Sequence, residues 1–314
     1  MKYVSVRKVV LLVIVVSLPV LLFFHAGTQR RAGLLAQKLK GRLPGITWAE
    51  LAVRMLPSPL RTSVGKMILP SHPHWIQKLD FPTDQGQPWA MYTIFNGPTS
   101  QLEMLDCHFS VLGPGVTPHP PHQHLEEELI IPMSGALAVI RLGAGNPPEQ
   151  STERVMPGQI VYHAPNDFHT IRSECPNRPA TYLVFKWRGY SLSKQESVLR
   201  SSTFDFDRPE FASPDTSAKW MTRLVFESPT PQLEKLHCHL STLKPGGGYD
   251  PHADAYDVAL ILLSGVVETL DRQVGSPSVV FYSANRAHGI RNTGTATARY
   301  LILEFHGSIY ADDH

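Results

Sequence analysis

His122, His124 and Glu128, followed some forty positions later by His169, are residue types that hold a divalent metal ion. Neutral imidazoles and a carboxylate suit a first-row ion, manganese or iron first, with nickel, zinc or copper as alternatives. Three or four protein ligands leave coordination positions open, so such an ion can polarise a substrate oxygen or activate dioxygen. In an extended chain alternate side chains share a face, which places positions 122, 124 and 128 together. The expectation is that one strand carries three ligands. Gly135 then offers the place where the chain reverses before returning to His169. Glu126 shares the parity of Glu128 and competes for the ligand role.

The elements that must carry these residues follow from an internal repeat. Residues 98–115 reappear as residues 229–246 with most positions identical, including the pairs Thr99 and Thr230, Cys107 and Cys238, and His108 and His239. The match extends back to Trp89 over Trp220 and forward to Tyr182 over Tyr300, closing on Gly189 and Gly307. Each unit consists of short alternating runs bounded by Gly, Pro and Asn, the pattern of a small antiparallel barrel or jelly roll. The 27 prolines and 22 glycines are dispersed and not gathered in a low-complexity tract, so the body reads as all-β. In the repeated run, Leu105, Cys107, Phe109 and Val111 form one face and Asp106, His108 and Ser110 the other. Alternation leaves open which face lines the barrel. For His108 and His239 a satisfied structural role is expected.

Together these residues resemble the cupin superfamily, whose first motif supplies two histidines and a glutamate and whose second supplies one more histidine. His122, His124, Glu128 and Gly135 match the first motif; Pro157, Gly158, Pro165 and His169 match the second. Asn166 stands at a usual glycine, a tolerable change because asparagine also adopts left-handed backbone conformations. Ser173 stands at a usual asparagine. The resemblance covers about residues 80–310, as two tandem cupin domains. It implies a metal held by His122, His124, Glu128 and His169; the alternative is a barrel that keeps its histidines as hydrogen-bonded or ligand-contacting groups. The interval to Gly135 favours Glu128 over Glu126. His119 is a candidate pocket residue, as are Tyr162, His163 and Arg172 near the second motif, but no separate acid or base stands out.

The second repeat departs from this pattern. His252 aligns with His122, Asp254 with His124, Val258 with Glu128 and His288 with His169. His252, Asp254 and His288 then form either a two-histidine, one-carboxylate triad able to hold ferrous iron or a decayed site kept for folding. Asp257 neighbours the lost glutamate, but its odd offset from His252 turns it to the other face.

Lys and Arg total 29 against 27 Asp and Glu, and charged residues are only 18%, so nothing points to a nucleic-acid groove. The three cysteines, Cys107, Cys175 and Cys238, contain no Cys-x-x-Cys pair and close no disulfide framework. Cys107 and Cys238 read as small buried hydrophobes, with a disulfide between them as the other reading. Residues 9–24 are an apolar run behind Lys2, Arg7 and Lys8. As a helix it would span about 24 Å, and Phe24 is a poor residue beside a cleavage site, so an uncleaved signal anchor is expected.

The organisation expected is therefore an anchor (1–29), a basic amphipathic stalk and linker (30–75), a metal-binding cupin domain (76–190), a linker (191–215) and a partly degenerate cupin domain (216–314). Thr47 and Glu50 form a capping box that begins a short linker helix. The body is expected outside the cytoplasm, or secreted if the anchor is cleaved. The resemblance implies a metalloenzyme acting on a small oxygenated molecule, a dioxygenase or a decarboxylase-type lyase, and residues 9–24 add the expectation of a membrane anchor; a tethered small-ligand-binding barrel is the alternative. The fold serves many chemistries, and the partners expected are a small-molecule substrate and further copies of the chain in a homo-oligomer.

Overall fold

The computed structural model describes residues 75–307 apart from 82–87, 144–147, 191, 194, 196 and 208–217. The anchor, the stalk and the capping-box helix fall outside the described residues. Those described form strands and connecting turns, with no helix among them. In chain order the strands are β1 (Trp75–Lys78), β2 (Trp89–Gly97), β3 (Leu102–Leu112), β4 (Glu127–Ser134), β5 (Leu137–Leu142), β6 (Gln150–Val155), β7 (Gln159–His163), β8 (Phe168–Ser173), β9 (Ala180–Gly189) and β10 (Ser202–Asp205). The second repeat supplies β11 (Trp220–Ser228), β12 (Lys235–Leu243), β13 (Gly248–His252), β14 (Asp257–Ser264), β15 (Val266–Thr269), β16 (Arg272–Gly275), β17 (Ser278–Tyr282), β18 (His288–Asn292) and β19 (Ala298–His306).

Each repeat folds into one barrel made from a six-stranded and a smaller sheet. The first uses the order β10-β7-β4-β9-β3-β2 with β6-β5-β8; the second uses β1-β17-β14-β19-β12-β11 with β13-β18-β15-β16. The outermost strands are exchanged. β1 precedes the first barrel yet pairs with β17 of the second, from Trp75 opposite Phe281 to Lys78 opposite Ser278. β10 lies inside the stretch read as a linker, yet it pairs with β7 of the first barrel.

Strand alternation divides the apolar residues into three cores. On β4, Leu129 and Ile131 face the other barrel, while Ile130 faces the lumen of its own. On β9, Phe185 and Trp187 join Phe305 of the second barrel, with ring centroids 6.2 and 5.4 Å apart. The two large sheets therefore share one buried seam, and each barrel keeps a separate interior. Cys107 and Cys238 lie fully buried on the seam side as free thiols, and burial pushes both well above the ordinary thiol range. The polar face of the repeated run is the luminal one: His108 and Ser110 line the first cavity.

Two buried acids pin the seam, each met by the repeated Pro-Thr segment of the opposite barrel. Glu127 accepts hydrogen bonds from the Thr230 hydroxyl at 2.8 Å, the Gln232 backbone N–H at 2.6 Å and the Tyr162 hydroxyl at 2.9 Å. Asp257, its counterpart, accepts from the Ala284 N–H at 2.9 Å and lies against the Thr99 hydroxyl. Gln232 donates to the Leu125 carbonyl and Gln101 to the Ala255 carbonyl, completing the two-fold correspondence. The odd offset of Asp257 thus does turn it away from the lumen, as its spacing implies.

Burial pushes Asp257 up to about 6, against an ordinary value of 3.8, despite the bonds from Thr99 and Ala284. Between those values the folded protein retains a proton that the unfolded chain has released, so stability falls as pH rises from about 4 to about 6. The expected loss is about 2–3 kcal/mol. Burial likewise raises Glu127 to about 7 and adds a slope of the same sign, so denaturant melts across that range should show a fall in wild-type stability that is reduced, not abolished, in Asp257→Asn.

Candidate metal centres in the two barrels

His122, His124, Glu128 and His169 converge in the first barrel, although not as three ligands of one strand. β4 begins only at Glu127, and residues 119–126 form an arch. The arch is tied to β8 by a pair of backbone bonds between His122 and His169, 3.0 and 2.9 Å long. A further tie is the Asn166 N–H, which reaches the His124 carbonyl at 2.8 Å. Asn166 makes that bond from a left-handed conformation, φ 63°, as expected of its place in the motif. Gly135 takes φ 75° at the reversal after β4; a Cβ there would lie 2.4 Å from Cys175 Sγ.

The donor set fits a cation. Backbone carbonyls of Glu126 and Asp167 hold Nδ1 of His124 and His169 at 2.9 and 2.8 Å. This leaves each Nε2 turned inward, 3.4 Å from a different oxygen of Glu128 and without a hydrogen-bond partner. Buried polar atoms are rarely left unpaired, and outward Nδ1 bonds with inward Nε2 lone pairs are the usual posture of metal-binding histidines. One ring nitrogen each of His122, His124 and His169 lies within 4.8 Å of the others. Burial above all, with His119 and His169 adding, pushes His122 down to about 4, so its imidazole is neutral at physiological pH. Burial would raise Glu128, yet the Lys186 ammonium at 2.8 Å holds it well below the usual carboxylate range. Glu126 does not compete: it is bonded to Arg188.

The candidate pocket residues separate by strand face. His163 lies fully buried behind the site, stacked on His169 with centroids 3.9 Å apart and planes 9° from parallel. Tyr162, its neighbour on β7, points the other way into the seam and donates to Glu127, so it is not a pocket residue. Arg172 is also outside the pocket, since on β8 it has the opposite parity to His169 and Ile171 and reaches Glu174 at the surface. His119 does line the cavity, its ring 4.1 Å from that of His122. His108 lines it too, with Nδ1 held by Asp106 at 2.7 Å. The cavity measures about 180 Å³, with Ile130, Ile171 and Val184 among its apolar walls. Lys186 is a luminal residue that the motifs did not reveal, because its place beside Glu128 comes from strand pairing between β4 and β9.

The second barrel brings His252, Asp254 and His288 together in the same way. Asp254 Oδ2 lies 3.5 Å from His252 Nε2 and 3.4 Å from His288 Nε2, while the Arg286 carbonyl holds His288 Nδ1 at 3.0 Å. Asn285 repeats the left-handed conformation of Asn166, φ 62°, and its N–H bonds the Asp254 carbonyl. The triad geometry therefore persists without the glutamate. The surroundings differ along one rung of the sheet. In the first barrel that rung reads His163, Glu128, Lys186, Asp106, Asn96; in the second it reads Tyr282, Val258, Glu304, His237, Glu227. A lysine is replaced by an acid. Among the described residues, no lysine or arginine lines the second cavity of about 290 Å³, which carries His239, Glu304, Tyr249 and Tyr256 beside the triad.

No protein-family model matches the sequence, and no curated protein matches it. Solved structures do. A putative glyoxylate-induced protein from Pseudomonas aeruginosa superposes with TM-score 0.56 at 14% identity, covering 77% of this chain and 92% of its own. The Lactobacillus farciminis oxalate decarboxylase in complex with formate gives TM-score 0.52 at 12% identity over 74% of this chain and 86% of its own. A deletion mutant of Bacillus subtilis oxalate decarboxylase gives 0.52 at 13% identity, covering 74% and 77%. At such identities the likeness establishes architecture alone, and that architecture, two tandem barrels with paired motifs, is the bicupin form of the cupin fold.

Proposed function

We propose that the protein is a metal-dependent enzyme acting on a small oxygenated organic acid, with His122, His124, Glu128 and His169 as ligands of a divalent ion in the first barrel. The observation that carries this reading is the pair of buried, unpartnered Nε2 atoms facing Glu128. Manganese or iron suits the set best, and a bound ion supplies Lewis acidity or a path to dioxygen chemistry. Lys186 supplies a cation for the anionic group of the substrate. His108, with Nδ1 held by Asp106, keeps Nε2 as a site for proton exchange. The apolar walls limit water in the cavity. Similarity to structures described as oxalate decarboxylases, one with formate, supports a carbon–carbon lyase acting on a small carboxylate. Dioxygenase action on a related acid is the other reaction class. His252, Asp254 and His288 form a second site of the same kind with an opposite charge around it, and residues 9–24 tether the body to a membrane with the barrels on the extracytoplasmic side.

The full-length chain, purified in detergent and supplied with manganese or iron, should release carbon dioxide from small dicarboxylates or consume oxygen with related acids. Glu128→Gln should reduce turnover by at least about a hundredfold and remove one equivalent of metal by elemental analysis. A wild-type protein that takes up neither metal would sink the enzyme reading; metal uptake without turnover across the panel would instead favour a binding barrel.

Lys186→Met should raise KM for a carboxylate substrate by about tenfold or more, with a smaller effect on kcat, since it removes a charge used in binding. Steady-state kinetics with carboxylate and amide forms of one substrate would separate this from a general loss of fold. For the tether, cell fractionation should place the chain in carbonate-resistant membranes, and deletion of residues 2–29 should move it to the soluble fraction. Carbonate extraction of the intact chain would contradict the anchor.

A further inference from the structure

We propose that the second barrel holds an additional metal centre, separate from the His252, Asp254 and His288 triad, made by His237, His239 and Glu304. His237 and His239 are two residues apart on β12 and so share its luminal face, and Glu304 pairs directly with His237 across the ladder to β19. One ligand atom from each lies within 4.8 Å of the others. His237 Nε2 and His239 Nδ1 are 2.8 Å apart. Nitrogens sharing an ion through bonds of about 2.1 Å lie roughly 3.0–3.4 Å apart, so a shift of a few tenths of an ångström admits one.

The residues around the three support the same assignment. Glu227, on the next strand of the rung, holds His237 Nδ1 at 2.7 Å, which fixes the ring with Nε2 inward. A carboxylate behind a histidine is the common support of a metal ligand. His306 approaches Glu304 Oε2 at 2.9 Å and orients that carboxylate in turn. His239 and Glu304 both line the second cavity, so an ion there would face the same space as the triad. The first barrel has no such group, because Asp106 and Lys186 stand where His237 and Glu304 stand here. The second barrel thus has Val258 at the place of Glu128, with a carboxylate on the neighbouring strand and a histidine pair beside it. Two imidazoles and one carboxylate favour zinc, nickel, copper or cobalt over magnesium or calcium.

The 2.8 Å contact also serves as a hydrogen bond in a Glu227, His237, His239 chain, so the experiment must separate an ion from a proton. Full-length protein carrying His124→Ala and His252→Ala, which weaken the two cupin-type sites, is stripped with chelator and titrated with Zn2+ by calorimetry and with Co2+ by visible absorption. One equivalent of Zn2+ and a Co2+ d–d spectrum are expected. Adding Glu304→Gln or His237→Gln should abolish both signals, and Glu227→Gln should weaken Zn2+ binding by about ten- to a hundredfold. Thermal melts establish that each variant is folded, and Glu304→Gln alone decides the matter if His237→Gln is not. A folded background protein that binds no Zn2+ at micromolar concentration, or that binds it equally well after Glu304→Gln, overturns the proposal. The outcome does not depend on whether the first barrel turns over a substrate.

Discussion

The structure depends on the alternation of a strand across two adjacent acids. Glu127 and Glu128 leave β4 on opposite faces, one into the seam between barrels and the other into the lumen. A carboxylate is costly to bury unless its oxygens are satisfied. Glu127 meets that demand with Tyr162 of its own barrel on one oxygen and Thr230 and Gln232 of the other barrel on the second, so its full satisfaction requires the two barrels to be assembled in register. A one-residue slip would exchange the two acids and leave both in the wrong surroundings. The position of Glu128 is thereby fixed by a contact on the far side of the same sheet.

The fold and the residues that converge in the first lumen were legible because their signals are local or repeated. Histidines at 122 and 124, Glu128, the turn at Gly135 and the returning His169 lie close in sequence, and Asn166 could be understood from backbone preference alone. The path was less legible than the outcome. His122 and His124 converge from an arch held by β8 and Asn166, where spacing suggested a continuous strand. Tyr162 and Arg172 were drawn to the pocket by nearness to the second motif, but strand parity sends one to the seam and the other to solvent. Lys186 and Glu304 carry no motif at all. Each becomes part of a site only through pairing with a strand distant in sequence, which a single chain's text does not display.

The two lumens illustrate how a duplicated scaffold diverges while its large sheet keeps the same strand order. The left-handed asparagines, the inward imidazoles and the buried seam acids persist in both copies. What differs is His124, which becomes Asp254, and one rung of the sheet, where Glu128 and Lys186 become Val258 and Glu304. The carboxylate stands on the neighbouring strand and the lysine has no counterpart, so the lining changes from an anion beside a cation to acids and imidazoles. Surface and core substitutions alone would not accomplish that, because the rung faces the lumen in both barrels.

The exchanged outer strands bear on the order in which the protein is made. Trp75 finds its partner in Phe281, so β1 leaves the ribosome long before the strand that will receive it exists. At about 5–20 residues per second, the wait is on the order of ten to forty seconds. During that interval the first barrel can close with β10 on its own edge, but β1 must remain unpaired. Its hydrogen-bonding groups are then available to any extended chain nearby, a hazard for emerging sheet proteins. Completion of the second barrel ends that exposure, making the last-synthesised half the natural guardian of the first-synthesised strand.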